Sequence, residues 1–161
     1  MLIIYCTVMG ATTNGAINMP FTTTTTLSDD QIRSLLVGAL EGGSNYWYLI
    51  LEKNLPPKTK IEDFVFGGKF VNPADPYGFM YIIPFHEGGG ILIGDAEADD
   101  PYSSDAAFQP VLLNREAMQK GIQLMCEKHP KHFADVLAQN DDATTSDVFL
   151  QLSLLGEIIF G

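Results

Sequence analysis

The chain has 161 residues, the length of one ordinary domain. Asp and Glu number 20 against 9 Lys and Arg, which gives a formal net charge of -11. Such a field repels phosphate backbones and anionic lipids, so direct binding to nucleic acid or to a membrane surface is disfavoured, whereas a basic protein is a suitable partner. Hydrophobic residues make up 46% and charged residues 18%, so some apolar surface is expected to remain for a homodimer contact.

Cysteine content and hydropathy predict a protein of the cytoplasm. Cys6 and Cys126 are too few for a disulfide framework, although they leave a single disulfide open. No segment approaches the roughly 20 apolar residues that span a bilayer. Met1 to Met9 also lacks the basic residues of a signal sequence.

The first 26 residues carry no charged side chain and end in a run of threonines. Two interpretations of this segment stay open. In the first, Met1 to Met9 is a strand that turns at Asn14-Gly15, a strong hairpin signal, into a second strand. In the second, Met19 is the natural start and the first 18 residues are a loosely attached extension, so that residues 1–26 lie outside the domain proper. In both, residues 27–161 form a single domain.

The strongest helix signal begins at Ser28, which forms a capping box with Gln31. Apolar residues follow at helical spacing. We expect Gly42-Gly43 to end this helix with a positive φ, and Tyr46 to Leu51 to form a strand.

The middle of the chain predicts a loop from Asn54 to Lys60 and then a hairpin. Phe79 to Phe85 and Ile91 to Ala96 are both strand-like, and the glycine-rich segment between them is short. Pro84 places the first of these strands at an edge or at a bend.

The last third predicts helices. Asn114 caps a helix from Arg115 to about Lys128, and a short helix follows over Pro130 to Leu137. A final helix begins after a cap within residues 141–146 and ends at Gly156. The whole pattern predicts an α+β fold, an antiparallel sheet with three to four helices packed on it.

Two groups of residues have side chains that commonly bind metals, but neither matches a known metal-binding pattern. Asp95, Glu97 and Asp99 alternate like the start of a calcium loop, but Asp100 stands where that loop needs glycine, so a solvated acidic loop is favoured. The second group is Cys126, His129 and His132, whose side chains are common zinc ligands. Pro130 interrupts the helix that would align them, and no fourth ligand is evident. A buried thiol beside surface histidines is favoured, and no metal or cofactor is predicted.

No catalytic set is apparent. A glycine run such as Gly88, Gly89 and Gly90 is able to present backbone N–H groups to a phosphate, but a turn between strands is the simpler interpretation. His86 beside them has no serine or cysteine placed by sequence to act with it.

Aromatic residues directly after the first helix form the most suggestive binding feature. Asn45, Tyr46 and Trp47 combine rings with polar tips, a composition typical of cores and of binding surfaces. We expect one face to enter the core and the other to stack a planar ligand or a partner side chain. Arg33 and Glu41, on the preceding helix, are expected to border that site.

In three blocks the chain resembles a family of small uncharacterised proteins encoded by bacteriophages and prophages. The blocks are Leu40 to Trp47, Gly88 to Asp95 and Ala143 to Gly161. The resemblance implies an accessory role in the cytoplasm of a bacterial host cell, but it transfers no established chemistry.

These observations lead to three hypotheses. The first is a non-enzymatic counter-defence protein that sequesters a small nucleotide-like ligand; its predicted site comprises Arg33, Glu41, Asn45, Tyr46, Trp47, His86, Gly88, Gly89 and Gly90. The second is an acidic inhibitor that mimics nucleic acid and occupies the basic groove of a host nuclease or CRISPR effector through Asp95, Glu97, Asp99 and Asp100. The third, an enzyme that uses His86 with Glu87, has the least support.

Overall fold

The computed structural model describes residues 2–8, 21–54, 65–66, 69–70 and 80–161. Its strands and helices confirm the α+β class, with antiparallel pairing throughout the described sheets. In chain order the elements are β1 (Leu2–Val8), β2 (Phe21–Leu27), α1 (Asp29–Gly38), a π-helical turn (Ala39–Gly43), β3 (Tyr48–Asn54), β4 (Val65–Phe66), β5 (Lys69–Phe70), a 3-10 turn (Ile83–Phe85), β6 (Gly90–Asp95), β7 (Val111–Leu113), α2 (Arg115–Lys128), α3 (Pro130–Leu137) and α4 (Ala143–Leu154).

The N-terminal strands β1 and β2 pair antiparallel along their whole length. This is the pairing that the hairpin interpretation requires, although the Asn14-Gly15 turn lies outside the described residues. Ile4 and Leu27 are fully buried, whereas Ile3 and Tyr5 are exposed. Because successive side chains point to opposite faces of a strand, one face of this sheet packs on the core.

Helix α1 begins at the predicted capping box. Ser28 Oγ accepts a hydrogen bond from the Gln31 N–H at 3.2 Å, and Gln31 Oε1 accepts one from the Ser28 N–H at 3.0 Å. The helical spacing buries Ile32, Leu35 and Leu36, so this prediction is confirmed.

The helical segment ends at Gly43, within the predicted pair of glycines, but the predicted positive φ is wrong. Neither glycine of Gly42-Gly43 has a positive φ. The helix instead widens into the π-helical turn, which closes with a hydrogen bond from the Ser44 N–H to the Ala39 carbonyl at 3.0 Å. A Cβ added at Gly43 would lie 3.3 Å from the carbonyl carbon of Ala143 and closer still to its oxygen. Glycine is therefore needed for close approach to α4 rather than for a left-handed backbone.

The larger sheet has the strand order β3-β6-β7. The structure corrects two strand predictions here, the Phe79–Phe85 hairpin strand and the start of the strand at Tyr46. The hairpin predicted between Phe79–Phe85 and Ile91–Ala96 is wrong, because β6 pairs with β3 and β7 and residues 83–85 form the 3-10 turn. Pro84 fits that turn, since a fixed φ and a missing N–H are tolerated at the first helical positions. Strand β3 begins at Tyr48, after a turn over residues 45–47.

Helix α4 occupies the centre of the packing. From Thr145 to Leu154 every residue except Asp147 is buried, and the helix contacts α1, α2, α3 and β7. A helix that is covered on all sides has no need of a charged face, and Asp147 is the one charged residue of α4. Gly156, with a φ of 82°, ends the segment as predicted.

Side-chain caps fix where α2 and α4 begin, as the sequence predicted. Asn114 Oδ1 accepts from the Ala117 N–H at 2.9 Å, and Asp142 Oδ1 accepts from the Thr145 N–H at 2.8 Å. The α2 cap has a functional consequence, because it places Arg115 in the first turn of α2 beside the glycine-rich turn that precedes β6. Among the described helices, none has the length and apolar composition to cross a bilayer.

Candidate functional site

The residues predicted to bind a ligand do not form one cluster. Arg33 lies on α1, with Nη2 3.8 Å from the carboxylate of Asp30. Glu41 lies in the π-helical turn, where its Oε1 accepts a hydrogen bond from the Tyr81 hydroxyl at 2.8 Å. Asn45, Tyr46 and Trp47 lie together at the turn before β3, and His86, Gly88, Gly89 and Gly90 lie together before and at the start of β6.

Trp47 belongs to the core, which corrects its prediction as a stacking surface. Its side chain is 0% exposed. The indole stacks on the ring of Phe160 with centroids 5.1 Å apart and planes 6° from parallel. Phe108 contacts the same indole edge-on at 5.8 Å. The aromatic segment therefore holds the chain's own C-terminal tail in the place where we expected a planar ligand.

The carboxylate of Asp147 joins this aromatic segment to α4. Its Oδ1 accepts hydrogen bonds from Ser44 Oγ at 2.6 Å and from Trp47 Nε1 at 2.8 Å. Its Oδ2 accepts from Gln151 Nε2 at 2.9 Å and from the Tyr46 hydroxyl at 3.3 Å. Burial and then the negative charge of Asp147 raise the pKa of Tyr46. The polar tips of Tyr46 and Trp47 thus bind within the protein, whereas Asn45 is exposed.

Gln151 extends this network to the tail. It is fully buried, and its Oε1 accepts from the N–H groups of Ile159 and Phe160, each at 2.8 Å. Its Nε2 also donates to the Phe160 carbonyl at 2.8 Å. Two of the blocks that carry the phage resemblance, around Trp47 and after Ala143, therefore bind each other.

A cavity of about 320 Å³ lies between the glycine-rich turn and the N-terminus of α2. It brings His86, Gly88 and Gly89 together, as predicted, and adds the side chain of Arg115. Its remaining lining residues are Glu87, Leu112, Asn114, Glu116 and Gln119. Within the described parts of the chain, this cavity unites the largest number of the predicted ligand residues, and we take it as the candidate site.

Arg115 is the only cation in the lining of this cavity, and its position is fixed on several sides. Nη1 and Nη2 donate to the two carboxylate oxygens of Asp29 at 3.2 and 3.0 Å. Nε donates to the Phe85 carbonyl at 3.1 Å, and the guanidinium lies 5.5 Å from the centre of the Phe85 ring. The hydrogen bonds from Arg115 lower the pKa of Asp29, so this carboxylate stays ionised at neutral pH and offsets the cation.

His86 is held mainly neutral at physiological pH. Partial burial, followed by the positive charge of Arg115, lowers the pKa of its imidazole from the ordinary value near 6.5. A neutral imidazole offers one donor and one acceptor nitrogen, which suits recognition of an uncharged polar group.

The glycine-rich turn owes its composition to close packing rather than to phosphate binding. Gly88 has a φ of 74°, and the Gly89 N–H donates to the His86 carbonyl at 3.0 Å. A Cβ added at Gly90 would lie 2.8 Å from Leu112 Cδ1. The structural interpretation of this glycine run is therefore the better supported one, since one of its N–H groups is already paired and a side chain at Gly90 would clash.

A second cavity, of about 520 Å³, contains Glu41 but has its polar groups already paired. Besides the bond between Glu41 and Tyr81, the hydroxyl of Tyr48 donates to the Leu40 carbonyl at 2.8 Å. Burial raises the pKa of Tyr48 to about 12, so it remains a neutral donor. Glu41 is the one predicted ligand residue in the described lining of this cavity, whereas the cavity at His86 brings three of them together.

The acidic loop between β6 and β7 is ordered around Asp95. This carboxylate is 2% exposed and accepts from the N–H groups of Glu97 at 2.9 Å and Ala107 at 2.8 Å. Asp95 is therefore structural, which corrects its prediction as a contact for a basic partner. Glu97, Asp99 and Asp100 are exposed, as that hypothesis requires.

Cys126, His129 and His132, which have the residue types of a zinc site, do not form one. Cys126 is buried but disulfide-bonded, so the expectation of a free thiol is wrong and no thiolate is present to bind a metal. His132 Nδ1 lies 3.0 Å from Thr145 Oγ1. Over the described residues, no group of three histidine, cysteine or acidic side chains has metal-binding geometry.

Sequence reasoning missed the residues at the centre of the two hydrogen-bond networks, the one around Arg115 and the one around Asp147. Arg115 was visible as the first residue after the Asn114 cap, but nothing local indicates that Asp29, at the start of another helix, would pair with it. Asp147 and Gln151 lie in the closing block that carries the resemblance. Asp147 accepts from Ser44, Tyr46 and Trp47, about 100 residues away. Gln151 binds the tail eight and nine residues later, a contact that no residue pattern indicates.

The chain gives no match to protein-family models, to curated proteins or to solved structures.

Proposed function

We propose that this protein is a non-enzymatic accessory protein of phage type that binds and sequesters a small nucleotide-like ligand in the cavity between His86 and Arg115. The observation that carries the proposal is the convergence in one cavity of His86, Gly88 and Gly89, three residues of the predicted ligand site, with a fixed guanidinium. The resemblance to phage proteins makes counter-defence the setting, in which the ligand is a signal made by the host.

The size of the cavity limits the ligand to about one nucleoside unit. Its volume of about 320 Å³ is at the lower end of the range for small-molecule sites, which is roughly 300–1,000 Å³. A larger dinucleotide signal would keep its second half outside. Leu112 supplies an apolar wall against which a base can pack.

The charges around the cavity favour the sugar and base over a polyphosphate. Arg115 is offset by Asp29, and Glu87 and Glu116 add negative charge to the lining. Carboxylates accept hydrogen bonds from ribose hydroxyls, whereas several phosphates would be repelled by these groups and by the net charge of -11. We propose a nucleoside, or a nucleotide with a single phosphodiester or phosphomonoester, as the ligand class.

Replacing His86 with alanine is expected to weaken ligand binding about tenfold or more, because it removes a donor and acceptor worth about 1.4 kcal/mol from the wall of the cavity. The measurement is isothermal titration with nucleosides, nucleoside monophosphates, cyclic mononucleotides and ADP-ribose. His129→Ala is the matched control: His129 is also partly buried with a lowered pKa but does not line the cavity. Absence of binding across the whole panel, or equal loss in both variants, contradicts the proposal.

A second candidate function is the acidic inhibitor of a host nuclease or CRISPR effector. It is favoured by one observation: the acidic loop is held in a defined shape by Asp95 while Glu97, Asp99 and Asp100 project into solvent beside the exposed ring of Tyr102. Fixed carboxylates at a surface can imitate the spacing of phosphates without an ordering cost on binding.

Under this second candidate, neutralising Glu97, Asp99 and Asp100 as amides is expected to abolish binding to the basic target, while Asp95 is left unchanged because it holds the loop together. Wild-type binding should weaken steeply from low to high salt, since exposed charges are screened beyond about 10 Å at 0.1 M. An equal charge change at the exposed residues Glu52, Glu116 and Glu157 is the control. Salt-independent binding, or equal effects of the two triple variants, argues against nucleic acid mimicry.

A further inference from the structure

Strand β1 is fastened to helix α2 through a side chain that acts like a neighbouring strand. The side-chain amide of Gln123 pairs with the main chain of Tyr5: its Oε1 accepts from the Tyr5 N–H at 3.3 Å, and its Nε2 donates to the Tyr5 carbonyl. This contact covers part of the outer edge of β1, which would otherwise be open to pairing with another chain.

The same contact brings the two cysteine positions next to each other. Cys6 follows Tyr5 in β1, and Cys126 lies three residues beyond Gln123, nearly one turn along α2. Cys126 is disulfide-bonded and 2% exposed, and the sequence contains only two cysteines. Because Cys126 is bonded and the chain has one other cysteine, Cys6 is its partner within the chain. The adjacent backbones of β1 and α2 are consistent with such a bond.

We propose that a disulfide between Cys6 and Cys126 is a redox-dependent tether that holds the β1–β2 sheet on α2 and thereby fixes Asp29 against Arg115. Strand β2 ends at Leu27, and Asp29 begins α1 after the single residue Ser28. Movement of the sheet away from α2 would therefore displace Asp29 from the guanidinium. The consequence for the ligand rests on the proposed function, whereas the tether itself does not.

The chemistry is an ordinary thiol–disulfide exchange. A dithiol attacks the bond as a thiolate and forms a mixed disulfide; its second thiol then closes on the first, so the dithiol is oxidised and the protein gains two thiols. Cys126 is buried, so attack on its own sulfur has to follow separation of the sheet from α2. After reduction, non-covalent contacts alone hold the sheet on α2.

The tether changes what we expect about compartment. Structural disulfides persist in oxidising compartments and are rare in a reducing cytoplasm. Outside a reducing cytoplasm we therefore expect the disulfide to be intact and the β1–β2 sheet to be tethered to α2. Inside a reducing cytoplasm we expect the disulfide to be reduced and the sheet to be held less tightly.

The bond is tested first by its chemistry. Protein purified without reductant is unfolded, treated with N-ethylmaleimide and digested, and its peptides are identified by mass. We expect one cross-linked peptide pair containing Cys6 and Cys126 and no alkylated cysteine. Alkylation of both cysteines in protein made under oxidising conditions would overturn the proposal.

The mechanical role is tested by hydrogen exchange on the native chain before and after reduction with dithiothreitol. We expect the amides of β1 and β2 to exchange at least tenfold faster after reduction, while those of α4 keep their protection. Cys6→Ala, Cys126→Ala and the double variant should all match the reduced protein, with no added loss in the double variant. Unchanged exchange in β1 and β2 would overturn the tether, whereas faster exchange with no ligand binding in any redox state would count against the proposed function alone.

Discussion

Replacing Asp147 with alanine is expected to lower the free energy of unfolding by about 3 kcal/mol or more. The carboxylate receives hydrogen bonds from Ser44, Trp47, Gln151 and Tyr46. Ser44, Trp47 and Gln151 are each 0% exposed, so without Asp147 their donors would face an interior that offers no water. A buried donor without a partner costs about 1–3 kcal/mol, and more than one is created here.

Urea unfolding, monitored by tryptophan fluorescence, measures the loss of unfolding free energy. The signal reports directly on the network, because Trp47 is the only tryptophan of the chain. Asp147→Asn is the matched variant: it keeps an acceptor for Ser44 and Trp47 but turns an amide N–H towards the amide of Gln151. We expect it to lose clearly less stability than the alanine variant. If the alanine variant unfolds within about 1 kcal/mol of wild type, the network is not a principal source of stability.

Helix ends could be predicted from sequence wherever the signal is local. The capping box at Ser28, the cap at Asn114 and the left-handed residue Gly156 each act within a few residues of chain, and all lie where expected. The exception is Gly42-Gly43. That pair looks like a helix stop, but its second glycine is required by the approach of α4, a contact that no local pattern reports.

Strand partners could not be predicted, because they are set by distant segments. The short glycine-rich segment 86–90 suggested that the strands around it pair with each other. In the structure, β6 instead lies between β3 and β7, and Pro84 enters a 3-10 turn. Ordinary β propensity identified β6 correctly and gave no information about its neighbours.

The same distinction explains why the candidate site was only partly foreseen. His86, Gly88 and Gly89 are close in sequence and remain close in space. Trp47 had the composition of a binding surface, but Phe160, more than 100 residues later, covers it. Arg115 acquires its place in the cavity from Asp29, which belongs to another helix. Side chains whose environment depends on distant segments were the ones that sequence reasoning misplaced.

Introducing a methyl group at Gly121 is expected to destabilise the protein strongly. Gly121 is buried on α2 where this helix crosses α4. A Cβ there would lie 2.8 Å from both the Cα and the backbone N of Ser153, and closer still to its Oγ. The hydroxyl of Ser153 is already committed to the Phe149 carbonyl at 2.7 Å. The clash is with backbone, so the two helices have to move apart.

We therefore expect Gly121→Ala to lower the free energy of unfolding by about 3 kcal/mol, at the upper end of overpacking costs, even though alanine is the better helix former by about 1 kcal/mol. Gly42→Ala is the matched control, because no atom lies within 4 Å of a Cβ added there and its φ is not positive. Thermal and urea unfolding of both variants measures the difference. If the two alanine variants prove equally stable, the α2–α4 crossing is wider than the structure shows. If Gly121→Ala alone loses stability, close backbone contact between these helices is what positions α2, and with it Arg115, at the cavity.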